Sequence, residues 1–391
     1  MSLVFMAAYT NYRRDGRVRR EAESLAELGH RVIFFATRQH GEPDQEMICG
    51  VEVSKVYGIP NSRDSIGGYI ASYCVFFYMV MQHLTLHPLR YALIHISNMP
   101  DFLVFAAWLP RFLGRPVVHD VHDLMPEVFA EKFSAGNKHW VIGILKRQEL
   151  LAGRFASAVL TVEDRLTDIL SCRGIPREKI HVFMNVPDDR VFTLRRTGMS
   201  KQSNDKFVMV YHGTLAHRLG LDIAIAAMSK VKLSIAHVEL RIIGAGEQRD
   251  ALIRLRDSLN LQDVVTFSEG FVSVEEIPAM IADADIGLIP LRISSATDIM
   301  LPTKLMEYVN LGIPCIVPRT VTISRYFDED MVYYFESEDV DSLANAIIDL
   351  LHDEERRCRI ALAARVRFSE KYSFSGQKKI YTDLVASLMT T

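Results

Sequence analysis

The residues best placed to do chemistry lie in one short stretch, DIMLPTKLMEYVNLGIPCIV at 298–317. Pro302 suits the first position of a helix and Gly312 suits the residue just past its end. The spacing therefore predicts a helix of about two to three turns between them. The opening amides, at Thr303, Lys304 and Leu305, have no carbonyl one turn back to bond. Together with the helix dipole they form an anion site suited to a diphosphate. Lys304 adds a formal charge beside that site. Glu307, one turn further on, can accept hydrogen bonds from both hydroxyls of a ribose. The plain alternative is a proline-started surface helix with Lys304 and Glu307 in water.

Other stretches offer partners for such a ligand. KFVMVYHGTLAHRLGL at 206–221 reads as a strand followed by a loop holding Gly213, Thr214 and Arg218, and a guanidinium there is within reach of phosphates. Gly244 and Gly246 form a lone GxG. The third glycine of a dinucleotide fingerprint is absent, since position 249 is Arg. This loop reads as one that lets a base approach the backbone. Near the N-terminus, Arg13, Arg14, Arg17, Arg19 and Arg20 surround Gly16 at a helix start. Cations there oppose the helix dipole by about a few tenths of a kcal/mol each, so an anion nearby would explain them. The candidates are a substrate phosphate and an acidic lipid headgroup. HDVHDLMPE at 119–127 closes a strand in histidines and carboxylates. Strand alternation sends His119 and His122 to different faces, which argues against zinc, a metal that needs three or four converging ligands. A polar active-site corner fits better, with His122 and Asp123 joined by His95 and Asn98 from the preceding strand. Two DxD strings, at 283–285 and 328–330, read as structural.

These residues need a scaffold, and the rest of the chain describes one. It has 391 residues, 49% of them hydrophobic and 24% charged, which excludes a disordered chain. A net charge of −3 supplies no bulk positive field for nucleic acid. The five cysteines follow no metal or disulfide spacing, which suggests a reducing compartment, and no signal-peptide pattern opens the chain. A cytoplasmic location is the expectation. The uncharged run at 66–84 approaches spanning length, yet its glycines and tyrosines favour a buried or interfacial helix.

Apolar strand candidates fall at 3–8, 31–37, 51–57, 93–97, 116–121, 158–162 and 179–184, then at 207–212, 238–243, 264–267, 286–290, 314–317 and 332–335. Amphipathic segments separate most of them, the pattern of parallel sheets covered by helices. The expected fold is α/β, with two doubly wound, Rossmann-like domains. They are assigned to 1–190 and 206–371, with a linker at 191–205 and a helical tail at 372–391. Ligands bind beyond the carboxyl ends of strands in such sheets, so an active site in a cleft between the domains is expected.

In order and separation the motifs resemble those of the family 4 glycosyltransferases, retaining enzymes of GT-B fold. The match includes DGRVRREAESLAELGHRV at 15–32, HISNMPDFLVF at 95–105, HDVHDLMPEVF at 119–129, NVPDDRVF at 185–192, YHGTLAHRLGLD at 211–222, RIIGAGE at 241–247, ADIGLIPL at 284–291 and LPTKLMEYVNLGIPCIVP at 301–318. The resemblance implies that Glu307 is the second glutamate of the family's EX7E pattern and binds ribose. Lys304 and the amides of Thr303 and Leu305 would contact the diphosphate. His122 would lie near the donor sugar, and Gly16 and Arg17 in the first cleft-facing loop. The first glutamate of EX7E falls at Ile299 and is missing, with Asp298 as its candidate replacement. Thr214 and Leu219 stand at the family's usual basic positions, leaving Arg218 as the substitute.

The function implied is metal-independent transfer of a hexosyl-type unit from a UDP- or GDP-sugar to an acceptor hydroxyl, with retention, in cell-surface polysaccharide or glycolipid assembly. No resident cofactor is expected. The acceptor would be a carbohydrate or a lipid-linked sugar, handled by Arg17, His95, Asn98 and Asp123. The 66–84 helix and the basic first loop point to peripheral association with the inner face of a membrane. The alternatives are a nucleotide-sugar 2-epimerase, using His119, Asp120 and Asp123 as acid and base, and a non-catalytic partner of the same fold.

Overall fold

A computed structural model describes residues 1–39, 41–58, 66–132, 139–193, 206–270 and 272–390. The chain divides into two compact units, one of Met1–Asn185 with Ser375–Thr391 and the other of Val186–Phe374.

The first unit is built on eight strands: β1 (Leu3–Ala7), β2 (Arg31–Arg38), β3 (Gln45–Ile48), β4 (Val51–Gly58), β5 (Leu93–Ser97), β6 (Val117–Val121), β7 (Ala158–Thr161) and β8 (Ile180–Val182). They lie in the order β3-β4-β2-β1-β5-β6-β7-β8, and only the β3–β4 pair is antiparallel. The order in which successive strands are added reverses between the parallel neighbours β1 and β5, the kind of switch point beyond which ligands bind. The period of two along β1 explains its two faces. Val4 and Met6 enter one core with Val18, Ala22 and Leu25 of the helix Gly16–Glu27 and with Tyr381 and Val385 of the helix Phe374–Thr390. Phe5 and Ala7 enter the other, with Phe76, Val80 and Leu84 of the helix Ile66–Leu86.

The second unit holds six parallel strands: β9 (Phe207–His212), β10 (Val238–Ile243), β11 (Val265–Phe267), β12 (Ile286–Leu288), β13 (Cys315–Pro318) and β14 (Tyr333–Phe335). Their order is β11-β10-β9-β12-β13-β14, with the switch point between β9 and β12.

Two differences from the sequence reading stand out. The units divide at Asn185, not at residue 190. Val186 and Phe192 are buried, and the side-chain amide of Asn310 donates to the Phe192 carbonyl at 2.9 Å, which ties this segment to the second unit. Of the proposed linker, 194–205 lie outside the described residues. The antiparallel β3, QEMI, was not anticipated; it pairs with β4 at the sheet edge and carries no apolar period. Among the described residues no helix is long and apolar enough to cross a membrane. The helix Ile66–Leu86 buries Phe76, Val80 and Leu84 and exposes Ile70, Val75 and Tyr78.

Candidate functional site

In the second unit the helix runs Thr303–Leu311 and Gly312 closes it in the left-handed conformation, φ 71°. Pro302 lies one residue before the first turn with extended backbone, not inside it. That shift changes which amides are open. The Leu305 N–H donates to the Pro302 carbonyl at 3.0 Å, so it is not the diphosphate donor expected. The amides of Thr303 and Lys304 have no backbone acceptor among the described residues. They remain the two available for an anion.

The Lys304 side chain lies against the carboxyl end of β9. Its Nζ sits 4.0 Å from the centre of the Tyr211 ring and donates to the Tyr211 hydroxyl at 2.9 Å. Gly213 follows, with φ 117°, and a Cβ there would stand 3.5 Å from Lys304 Nζ. Burial lowers the Lys304 pKa to about 7; the Glu307 carboxylate opposes the shift and the Arg218 charge adds to it. The ammonium thus gains from an anion brought beside it.

Glu307 is held from β9 as well. His212, buried at the last position of that strand, hydrogen-bonds Glu307 Oε2 through Nε2 and the Tyr308 hydroxyl through Nδ1 at 3.0 Å. Sequence reasoning missed His212 because a histidine ending a strand carries no spacing signal. Gly287 on β12 makes room for the arrangement, since a Cβ there would lie 2.4 Å from the Tyr308 ring.

The structure also locates the other selected residues of this unit. A Cβ on Gly244 would lie 1.9 Å from the Gly213 carbonyl oxygen, and one on Gly246 would lie 2.3 Å from that of Leu215. These glycines admit the neighbouring β9 loop on the side where a Cβ would stand. Asp298 accepts a hydrogen bond from the Val321 amide at 2.8 Å, next to the start of the helix Val321–Tyr326, so its carboxylate serves that loop. Thr214 offers its carbonyl to the Tyr211 hydroxyl at 2.6 Å while the residue itself is exposed. Arg218 is exposed and touches Met300 Sδ at 3.9 Å.

In the first unit the expected acceptor-side residues divide into interior and surface. Arg17 is 4% exposed and forms a two-pronged pair with Asp120, at 2.9 and 2.6 Å, while its third nitrogen donates to the Phe183 carbonyl. It is an internal cation, not a contact for substrate. The other basic residues of that loop are also engaged: Arg13 with Glu46, Arg19 with Glu23 and Arg20 with Asn185. His95 is fully buried and bonds the Tyr381 hydroxyl at 2.9 Å, so it lines no cleft. Asn98 is buried too. It donates to the Asp123 carbonyl at 2.7 Å and to Asp101 at 3.0 Å, bracing the loops after β5 and β6. Gly16 opens its helix partly buried, with Arg20 Nη1 3.3 Å from where a Cβ would stand.

His122 and Asp123 reach the surface beyond β6. His122 Nδ1 lies 3.2 Å from Asp120 Oδ2, and the His122 side chain is 25% exposed. Burial alone would lower its pKa. The hydrogen bond to Asp120, with the charges of Asp120 and Asp123, outweighs that and raises it to about 9. His122 is therefore a cation at neutral pH. Glu21, His95 and Asp120 converge closely enough to suggest a metal, but the Arg17 guanidinium already supplies the positive charge on Asp120.

Two families match, and together they take in most of the chain. "Glycosyl transferase 4-like domain" matches residues 16–185 and "Glycosyl transferases group 1" matches 198–367. The chain belongs to the family 4 glycosyltransferases that this pair of domains defines. Among curated relatives, the chitobiosyldiphosphodolichol beta-mannosyltransferase of Debaryomyces hansenii is 23% identical over 63% of this chain and 56% of its own length. The alpha-D-kanosaminyltransferase of Streptomyces kanamyceticus is 25% identical over 68% of this chain and 69% of its own. The GDP-mannose-dependent alpha-(1-6)-phosphatidylinositol monomannoside mannosyltransferase of Mycolicibacterium smegmatis is 29% identical over 46% of each. The aligned stretch is thus about half of the first and third relatives. Among solved structures, the sucrose-phosphate synthase of Thermosynechococcus elongatus superposes with a TM-score of 0.76 at 17% identity, covering 100% of both chains. Anabaena HepE, in complex with UDP and glucose, gives 0.72 at 18%, covering 99% of this chain and 100% of its own. At these identities the likeness establishes the GT-B fold.

Proposed function

We propose that the protein transfers a glycosyl unit from a nucleoside diphosphate sugar to an acceptor hydroxyl, with retention, in polysaccharide or glycolipid assembly. The observation that carries this is the pairing of Lys304 and the open Thr303 and Lys304 amides with Glu307, one turn along the same helix. Diphosphate oxygens fit the helix start, and ribose hydroxyls fit the carboxylate. As the sugar C1–O bond breaks, negative charge gathers on the leaving diphosphate. The amides, Lys304 and Arg218 stabilise it electrostatically, so this chain's own cations do that work. The acceptor oxygen bonds to C1, and its proton passes to a leaving phosphate oxygen, which requires no protein nucleophile. His122, cationic above the β6 end, orients a hydroxyl of the donor sugar or the acceptor.

The relatives' names support both a GDP-linked donor and a UDP complex, so both bases belong in the test. A thermal-shift panel of UDP- and GDP-sugars is expected to raise Tm with one base, because bound ligand stabilises by mass action. Lys304→Ala and Glu307→Ala are each expected to abolish that shift and to lower turnover by about a hundredfold, with the unliganded Tm little changed. Retained turnover in both variants contradicts the assignment.

A cytoplasmic chain working at a membrane face belongs to the same proposal. The helix His139–Phe155 exposes Trp140, Ile144 and Leu151, with Arg147 in the same stripe and Lys146 beside it. Phe112 and Trp108 are exposed on the helix Trp108–Phe112. Exposed aromatic and basic residues together suit an anionic bilayer surface.

A further inference from the structure

Resting on the donor site proposed above, we infer that His212 is the positioning residue that fixes the Glu307 carboxylate for the nucleotide's ribose. The chain of bonds starts in the backbone. The Tyr308 hydroxyl has one proton and two lone pairs. The His212 peptide N–H donates to it at 3.1 Å, and it donates in turn to the Val210 carbonyl at 3.3 Å. His212 Nδ1 lies 3.0 Å from the same hydroxyl, which anchors the ring on that side. Nε2 is the atom that meets Glu307 Oε2. A carboxylate oxygen only accepts, so in that contact the Nε2–H of His212 is the donor.

Two consequences follow for the ligand. Oε2 is engaged, and Oε1 has no hydrogen-bond partner among the described residues. Oε1 is therefore the oxygen that faces a ribose hydroxyl. The ring itself is locked, since it also meets Tyr308 edge to face at 4.9 Å between centres and is buried. A glutamate left free would lose rotamer freedom on binding, whereas this one has already lost it. His212 touches no reacting atom, so its effect falls on donor affinity and not on the chemical step.

The test uses the full chain with UDP and GDP as titrants, followed by kinetics with the nucleotide sugar of the base that binds. A glutamine amide reaches the position of Nε2 and keeps a donor for Glu307, whereas an asparagine amide reaches only that of Nδ1. His212→Asn is expected to weaken nucleotide binding and raise KM by about tenfold or more, with kcat within about threefold, as for a lost hydrogen bond to a charged group. His212→Gln is expected to restore affinity to within about threefold of wild type. Adding His212→Asn to Glu307→Gln is expected to change little, because the partner is already gone. Equal losses in the Asn and Gln variants, or a loss in kcat in place of KM, would overturn the role. Unchanged binding in Glu307→Gln, or no binding of either nucleotide to wild type, would overturn the donor site itself, and the inference with it.

Discussion

Lys304 is an ammonium held on an aromatic ring at the edge of water, 2.9 Å from the Tyr211 hydroxyl. Burial lowers its pKa to about 7, so at neutral pH the unliganded protein is a mixture of charged and neutral forms. A diphosphate favours the charged form. Below pH 7 the cation is already present; above it, binding must take up a proton. Affinity for a nucleotide sugar is therefore expected to fall as pH rises from 7 to 9, by up to about tenfold per unit. Calorimetry in two buffers of different ionisation enthalpy reads that proton directly, and zero uptake at pH 8 would place Lys304 away from the phosphates. The spacing from Pro302 to Gly312 marks a helix end, so Lys304 and Glu307 were legible. Arg17 was not, because its carboxylate partner lies 103 positions away and a basic run does not name its partner. Nor was His212, whose meaning comes from Glu307 and Tyr308 on another element.

Strands and glycines set those side chains in place. The thirteen strands expected from apolar runs all appear, while the polar edge strand β3 has only its pairing with β4 to define it. Glycine patterns were less readable. A GxG records two missing Cβ atoms without saying what fills the space, and at Gly244 and Gly246 the filler is the Gly213–Leu215 backbone. Gly287 gave no signal at all, yet it admits the Tyr308 ring that holds His212. Gly287→Ala places a Cβ 2.4 Å from that ring. The expected cost is about 1–3 kcal/mol by overpacking, read in a urea titration, together with weaker nucleotide binding. Loss of stability with unchanged binding would separate Tyr308 from the donor site.

Across the whole molecule, a mainly parallel sheet and a parallel one each end in a chemically distinct edge. One presents a helix start with Lys304 and Glu307. The other presents His122, propped by the Asp120–Arg17 pair. The chain also returns to its first unit at the end, where Tyr381 bonds His95. The exposed Trp140, Ile144 and Leu151 stripe is a property at this scale, since it contributes nothing to either core. Vesicles containing anionic phospholipid are expected to co-sediment the protein, less so as salt rises, at about 1 kcal/mol per basic residue near the surface. Lys146→Glu with Arg147→Glu should weaken that binding. Absence of binding, or binding indifferent to salt, would overturn the membrane association. For the donor site, the decisive experiment is a crystal structure with UDP or GDP bound. The expected result is diphosphate oxygens within hydrogen-bond distance of the Thr303 and Lys304 amides, with the ribose on Glu307. Ligand density elsewhere, with the start of that helix empty, would contradict it.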